Sequence, residues 1–207
     1  MIDGELLSLQ ECARKEPLPL VLIQDAILQF LRGREDCVLF GAHAVNAYLN
    51  EQRTTPDVDL ISTRAAELAQ ELSDLLMQRF NIACVVQVWR GGKGNTLRIF
   101  EVRKPEYRLM VDIRPVDTLP PSRKIMNMQV VLPEKLIAAK VYSYHCRTQE
   151  GDPRSFTDQR DLAELLLHFP KFVLEVGAVR QCLIALSTDV DVLSTWESFV
   201  RENHSQA

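Results

Sequence analysis

The sequence predicts an α/β domain, a sheet flanked by helices, followed by a helical region. Three observations carry that prediction. Val38-Leu39-Phe40 is a short apolar run broken at Gly41 and followed by a helical pattern, the order of a buried strand turning into a helix. Between residues 82 and 132, segments rich in β-formers alternate with Gly- and Pro-containing turns. From Pro133 onward the apolar residues recur at three- and four-residue steps instead. We therefore divide the chain into an α/β core, residues 1–132, and a C-terminal helical region, residues 133–207.

The elements follow in order. Residues 1–18 carry a short helical pattern at Leu6, Leu7 and Leu9, ending near Pro17-Leu18-Pro19. Leu20 to Leu31 is a stronger amphipathic helix that leaves through Arg32-Gly33-Arg34, and the first core strand covers Cys37 to Phe40. Ala44, Ala47, Tyr48 and Glu51 share a helical face, so a helix is expected from Ala42 to Glu51. Arg53-Thr54-Thr55-Pro56 stops it, because the residue before a proline is pushed out of the α region, and Asp57 to Ile61 restarts as a strand. Ser62 or Thr63 is the expected N-cap of a helix whose buried face is Leu68, Leu72, Leu75, Leu76 and Phe80.

Ile82–Trp89 and Thr96–Val102 read as a hairpin around Arg90-Gly91-Gly92-Lys93-Gly94-Asn95. Arg90 and Lys93 offer phosphate contacts there, but the backbone of a turn asks for glycine on its own account, and we read it as a solvated turn. Tyr107–Ile113 is the next strand, Pro115–Arg123 a loop, and Ile125–Leu132 one more edge strand. Pro133-Glu134 opens a helix over Lys135–Cys146, Thr148–Ser155 is a loop, and Thr157 caps the following helix with core positions Leu162, Leu165, Leu166 and Phe169. Helices near 172–186 and 189–202 finish the chain.

Composition sets outer bounds. The 207 residues are 46% hydrophobic and 25% charged, which suits one globular domain or a domain with a small appendage. A net charge of −4 argues against a dedicated nucleic-acid wrapper but leaves room for a local basic patch. The five cysteines, at 12, 37, 84, 146 and 182, have no metal-ligand spacing and read as reduced thiols. The first residues lack the basic start and apolar core of a signal peptide, and no run approaches the roughly 18 apolar residues of a membrane helix. The expectation is a cytoplasmic protein with no membrane partner.

The chemistry concentrates between Val38 and Ser62. On one strand Asp57 and Asp59 point the same way, and two adjacent carboxylates repel unless a cation lies between them. Gly41 to His43 lies at a strand-to-helix turn, where backbone N–H groups and the positive helix end suit a phosphate. Together these read as a Mg²⁺–nucleotide site. Asp189-Val190-Asp191 repeats the tripeptide without the strand and glycine context, so we give those acids a helix-start role. Asp112 sits between Val111 and Ile113 in a run that otherwise looks buried, which makes it the third acid of the site or the partner of Arg98, Arg108 or Arg114. Lys140, among apolar neighbours, either reaches a phosphate or snorkels to water.

These residues resemble the nucleotidyltransferase superfamily that includes DNA polymerase β. The residues that carry the likeness are Phe40-Gly41-Ala42, Asp57-Val58-Asp59 and Asp112. Nearer still are bacterial abortive-infection nucleotidyltransferase-like proteins, related to toxins of toxin–antitoxin pairs. Those are similar in Gly41-Ala42-His43-Ala44, in Arg53-x-Thr55-x-Asp57-x-Asp59, and in Leu132-Pro133-Glu134, Lys140, Arg147 and Asp158-x-x-Asp161-Leu162. The likeness covers roughly residues 36–168. It implies a nucleotidyltransferase fold with a central mixed sheet, and transfer of a nucleoside monophosphate from an NTP to a hydroxyl.

One or two Mg²⁺ ions on Asp57, Asp59 and Asp112 are implied, with Gly41, Ala42, His43, Arg53, Thr55 and Lys140 at the nucleotide and Asp112 as candidate base. Asp158 and Asp161 look more like helix or ion-pair elements than catalysts. The acceptor is left open among RNA such as tRNA, a protein and a small molecule, as is a cognate protein partner. Many active members have Gly or Ser where Ala42 stands. That departure keeps a second reading in play, a catalytically weak or inactive module that binds nucleotide or a partner. A phosphatase using Asp57-x-Asp59 fits less well, because it has no need of the Gly41 turn.

Overall fold

The computed structural model of the chain describes residues 19–49, 53–91, 94–174 and 177–204. The strands are β1 (Cys37–Phe40), β2 (Val58–Ser62), β3 (Cys84–Gly91), β4 (Gly94–Arg103), β5 (Glu106–Pro115), β6 (Ser122–Ile125) and β7 (Met128–Val131). The helices are α1 (Leu20–Leu31), α2 (Gly41–Tyr48), α3 (Ala65–Phe80), α4 (Pro133–Gln149), α5 (Ser155–His168), α6 (Lys171–Leu174), α7 (Gly177–Leu186) and α8 (Val190–His204). The helical pattern at Leu6 to Leu9, Cys12, and the expected end of the second helix at Glu51 lie outside the described residues.

The strands make one mixed sheet in the order β3-β4-β5-β2-β1-β7-β6. Strands β1 and β2 pair antiparallel, while β2–β5 and β1–β7 are parallel. Along β2 and β5, Val58 lies opposite Val111 and Leu60 opposite Ile113, and all four are at most 2% exposed. Alternation puts their neighbours Asp59 and Asp112 on the other face. One face of these two central strands is therefore core, and the other carries the acids.

Helix α3 lays Leu68, Leu72 and Leu76 fully into the core, each worth roughly 1.5–3 kcal/mol of burial. Helix α4 buries Leu136, Ile137, Ala138 and Val141 on the stripe that the 3.6-residue period predicts. The Tyr48 hydroxyl donates to the Val131 carbonyl at 2.7 Å, which fastens α2 to β7.

Several local expectations are corrected. Residues 122–125 form a seventh strand, so β6 is the edge and β7 is interior, paired to both β1 and β6. Ser62 closes β2 instead of capping a helix. Its hydroxyl donates to the Asp36 carbonyl and accepts from the Arg64 amide, and α3 begins at Ala65. Thr157 is not a cap, because α5 begins two residues earlier at Ser155. The second helix ends at Tyr48, and the following strand begins at Val58, which leaves Asp57 in the preceding bend. Cys37, Cys84, Cys146 and Cys182 are free thiols.

Candidate active site

The site grows out of strand register. Phe40 on β1 lies opposite Asp59 on β2, Asp59 opposite Asp112 on β5, and Asp112 opposite Arg98 on β4. Four adjacent strands thus present one row of side chains on a single face. A cavity of about 260 Å³ opens over it, lined among others by Asp59, Asp112, Arg98, Arg114 and Trp89.

Gly41 shapes one end of the row. Its φ is +59°, in the left-handed region, and a Cβ placed on it would fall 1.8 Å from Asp59 Oδ2. The Asp59 carboxylate occupies the volume that any side chain at 41 would need. Only glycine meets both demands. Helix α2 starts at this turn, with Ala42 in its first turn, so its unpaired N-terminal amides lie beside the carboxylate row.

Asp57 is placed by the segment before β2. The Asn46 side chain brackets the Arg53 backbone, donating to its carbonyl at 2.8 Å and accepting from its amide at 3.3 Å. Gln24 Nε2 donates to the Thr55 carbonyl at 2.7 Å, and the buried Thr55 hydroxyl donates to the Asp57 carbonyl at 3.4 Å. Thr55 and Arg53 therefore hold the loop that carries Asp57.

The acids feel one another. Burial, then Asp57 and Asp112, push the Asp59 carboxyl up to about 7. Burial and Asp112 raise Asp57 as well. Asp112 accepts from Arg98 Nε at 2.7 Å, so the site and ion-pair readings of this residue describe one arrangement. Among the described residues no group of three His, Cys, Asp or Glu side chains is gathered into a ready metal cage. The hard oxygen donors of Asp57 and Asp59, raised by burial and by acidic neighbours that Arg98 and Arg147 on one and Lys140 and Arg114 on the other offset only in part, nonetheless fit Mg²⁺. That ion is usually held by one or two carboxylates plus substrate phosphates.

The remaining expected residues lie elsewhere. Arg53 makes a fork to Asp161, Nε to Oδ1 at 2.6 Å and Nη2 to Oδ2 at 2.7 Å. Lys140 Nζ sits 2.9 Å from Asp158 and 2.8 Å from Asp161, and Arg147 bonds the other oxygen of Asp158. Asp158 and Asp161 are fully buried ion-pair elements, one of the two roles open to them from sequence. The His43 ring does not join the row. It lines a separate cavity of about 460 Å³ with Gln24, Asn46 and Arg53. Burial and then Arg53 push it down to about 4, and its Nε2 is buried without a hydrogen-bond partner among the described residues. Sequence reasoning missed Trp89 and Thr96 as lining residues, and took Arg98 and Arg114 only as possible partners of Asp112. The usable signal was their alternation along β3, β4 and β5, facing the same way as Asp112.

No protein-family model matches the chain, and no curated protein matches it. Solved structures do. The chain is similar to the Megavirus polyadenylate synthase at 15% identity and a TM-score of 0.56, over 82% of its own length and 37% of that chain. It thus spans little more than a third of that enzyme. It also matches JHP933 from Helicobacter pylori at 15% identity, with a TM-score of 0.49 over 89% of this chain and 90% of that one. A third match is an antigenic nucleotidyltransferase-like protein from Paracoccidioides brasiliensis, at 17% identity and a TM-score of 0.40, over 88% and 89%. No described helix is long and apolar enough to cross a membrane. At such identities the likeness speaks of architecture, and the architecture is the nucleotidyltransferase fold.

Proposed function

We propose that the chain is a Mg²⁺-dependent nucleotidyltransferase that moves a nucleoside monophosphate from an NTP to a hydroxyl acceptor. The observation that carries the reading is the row itself, with the Gly41 turn against Asp59 and Asp112 on the next strand. The amides that open α2 bind phosphate oxygens, with Gly41, Ala42 and His43 contributing backbone only. Asp57 and Asp59 would hold the cation, and Asp112 flanks them. Bound there, the cation neutralises charge on the phosphates and on the leaving pyrophosphate. Asp112 would accept the proton of the acceptor hydroxyl. Arg53, Thr55 and Lys140 act through the backbone and ion pairs that fix Asp57, and Arg114 adds positive charge at the rim.

Calorimetry with each ribonucleoside triphosphate, with and without Mg²⁺, tests this on the wild type and on an Asp57→Asn/Asp59→Asn double variant. Metal-dependent binding that the variant loses is the expected result, and equal binding by both proteins overturns the assignment. One observation favours a second reading: the Arg98 guanidinium already holds Asp112, as in a module that binds nucleotide without transferring it. Any labelled nucleotide found on an acceptor excludes that reading. The abortive-infection resemblance extends the proposal to a toxin-like role with a cognate protein partner. Growth arrest on expression that disappears with Asp59→Asn is the expected sign.

A further inference from the structure

We propose that Trp89, Arg98 and Thr96 form a stacking subsite that seats a planar heterocyclic ring of the acceptor, next to Asp112. The inference rests on the transferase reading and assigns one side of its site.

Placement comes first. Trp89 on β3 lies opposite Thr96 on β4, and Arg98, two residues along β4, lies opposite Asp112. All four share the face that carries Asp59, and all line the same cavity. Trp89 is 51% exposed, a large aromatic surface left at the rim of a polar site. The Arg98 guanidinium carbon sits 4.5 Å from the Trp89 ring centroid, while its Nε is held by Asp112. The indole is thus backed on one side by a cation that a carboxylate has already fixed. Aromatic rings backed in this way bind other flat rings by stacking, and every nucleobase has such a face.

A second observation points to a ligand. The Thr96 hydroxyl is buried at this cavity without a hydrogen-bond partner among the described residues. A polar group desolvated without a partner costs stability, and a ring-edge or sugar hydroxyl group entering beside Trp89 would satisfy it.

The choice between acceptor and NTP follows from the two ends of the row. The phosphate-binding turn lies at β1, whereas Trp89 lies on β3, four strand spacings or about 19 Å away. The β1 end has its own room. A larger cavity of about 800 Å³ shares Phe40, Ile61 and Arg114 with the first and runs toward Lys135 and Tyr142 of α4. The NTP, anchored by its phosphates, extends into that space, and the ring that approaches Asp112 from the β3 side belongs to the acceptor.

Fluorescence isolates the residue, because the chain has two tryptophans and Trp196 is only 1% exposed. The probe is a short single-stranded RNA of mixed sequence, compared with the same strand lacking its 3′-terminal base and with free NTP, all without metal. The intact strand is expected to quench Trp89 and to bind at least about fivefold more tightly than the abasic strand. Trp89→Ala should weaken it by a similar factor, and Trp89→Tyr should restore most of the binding. Equal binding by wild type and Trp89→Ala overturns the proposal, as does quenching by NTP alone, which would assign the ring to the nucleotide. The Asp57→Asn/Asp59→Asn variant separates the two readings. Quenching retained there while metal-dependent NTP binding is lost supports both. NTP binding with no strand quenching removes the subsite alone, and strand quenching with no NTP binding in the wild type removes the transferase reading alone.

Discussion

Two pairs of aspartates in this protein, one fully and one partly buried, behave in opposite ways. Asp158 and Asp161 are completely buried, and each carboxylate is held by two cations. Arg53 forks onto Asp161, Lys140 bridges both acids, and Arg147 closes the far side. Burial alone would raise the Asp161 carboxyl, but the bonds from Arg53 and Lys140 more than reverse it and hold it below the usual range. Asp57 and Asp59 are partly buried, and burial first, then their acidic neighbours, raise both, with Arg98 and Arg147 on Asp57 and Lys140 and Arg114 on Asp59 offsetting only part of it. Where bonded cations outweigh burial the acids make a brace, and where burial and like charge prevail they make the pair that we propose for the cation.

Substitutions on the two sides should separate the roles. The largest effect is expected from Asp161→Ala, which leaves Arg53 without its carboxylate and removes one of the two acids that hold the Lys140 ammonium. A loss of about 3–5 kcal/mol is expected by urea denaturation, with or without Mg²⁺. Gly41→Ala forces a side chain into the left-handed region and into the Asp59 carboxylate. It should cost about 1–3 kcal/mol and abolish metal-dependent nucleotide binding, both readable by a thermal-shift titration.

Asp59→Asn should act in the other direction. The folded carboxyl, at about 7, lies above its unfolded value of 3.8, so the folded chain holds the proton more tightly. Its contribution to stability is present below about pH 4 and is lost as pH rises through 7. The variant is therefore expected to be more stable than wild type above pH 7, on the order of 1–2 kcal/mol, and to show no stabilisation by Mg²⁺. In the wild type, metal-dependent binding should weaken as pH falls below 7. Arg98→Ala breaks a pair that is only partly buried and should change stability by less than about 1 kcal/mol. Its effect should appear in acceptor binding.

The same contrast explains what could be read before the fold was seen. Helix α1 runs from Leu20 to Leu31 as its pattern predicts, because Pro19 and Gly33 punctuate both ends. Strand β1 and the Gly41 turn follow from an apolar run and one glycine. Strand β6 escapes notice because Ser122-Arg123-Lys124-Ile125 has no apolar alternation. Its turn is Met126-Asn127, both at positive φ, where methionine gives no turn signal. The Asp-x-Asp at 57–59 is visible, but its geometry was not. Asp57 sits ahead of the strand, held by Thr55 and Asn46, and its approach to Asp59 depends on that loop. Arg98 and Trp89 gain their places only through cross-strand register, which a single sequence does not display. That Lys140 belongs to the brace and not to the row depends on where α5 lands, a tertiary fact.

The contact between Gly41 and Asp59 also gives the site a signature that can be used without any structure. Eighteen residues apart in the chain, the two positions share one small volume, so a side chain at 41 cannot coexist with the Asp59 carboxylate where it now lies. In a sibling sequence, an acid at the second position beside anything larger than glycine at the first would mark a chain whose backbone or carboxylate has moved. A pair of letters thus reports on the integrity of the site.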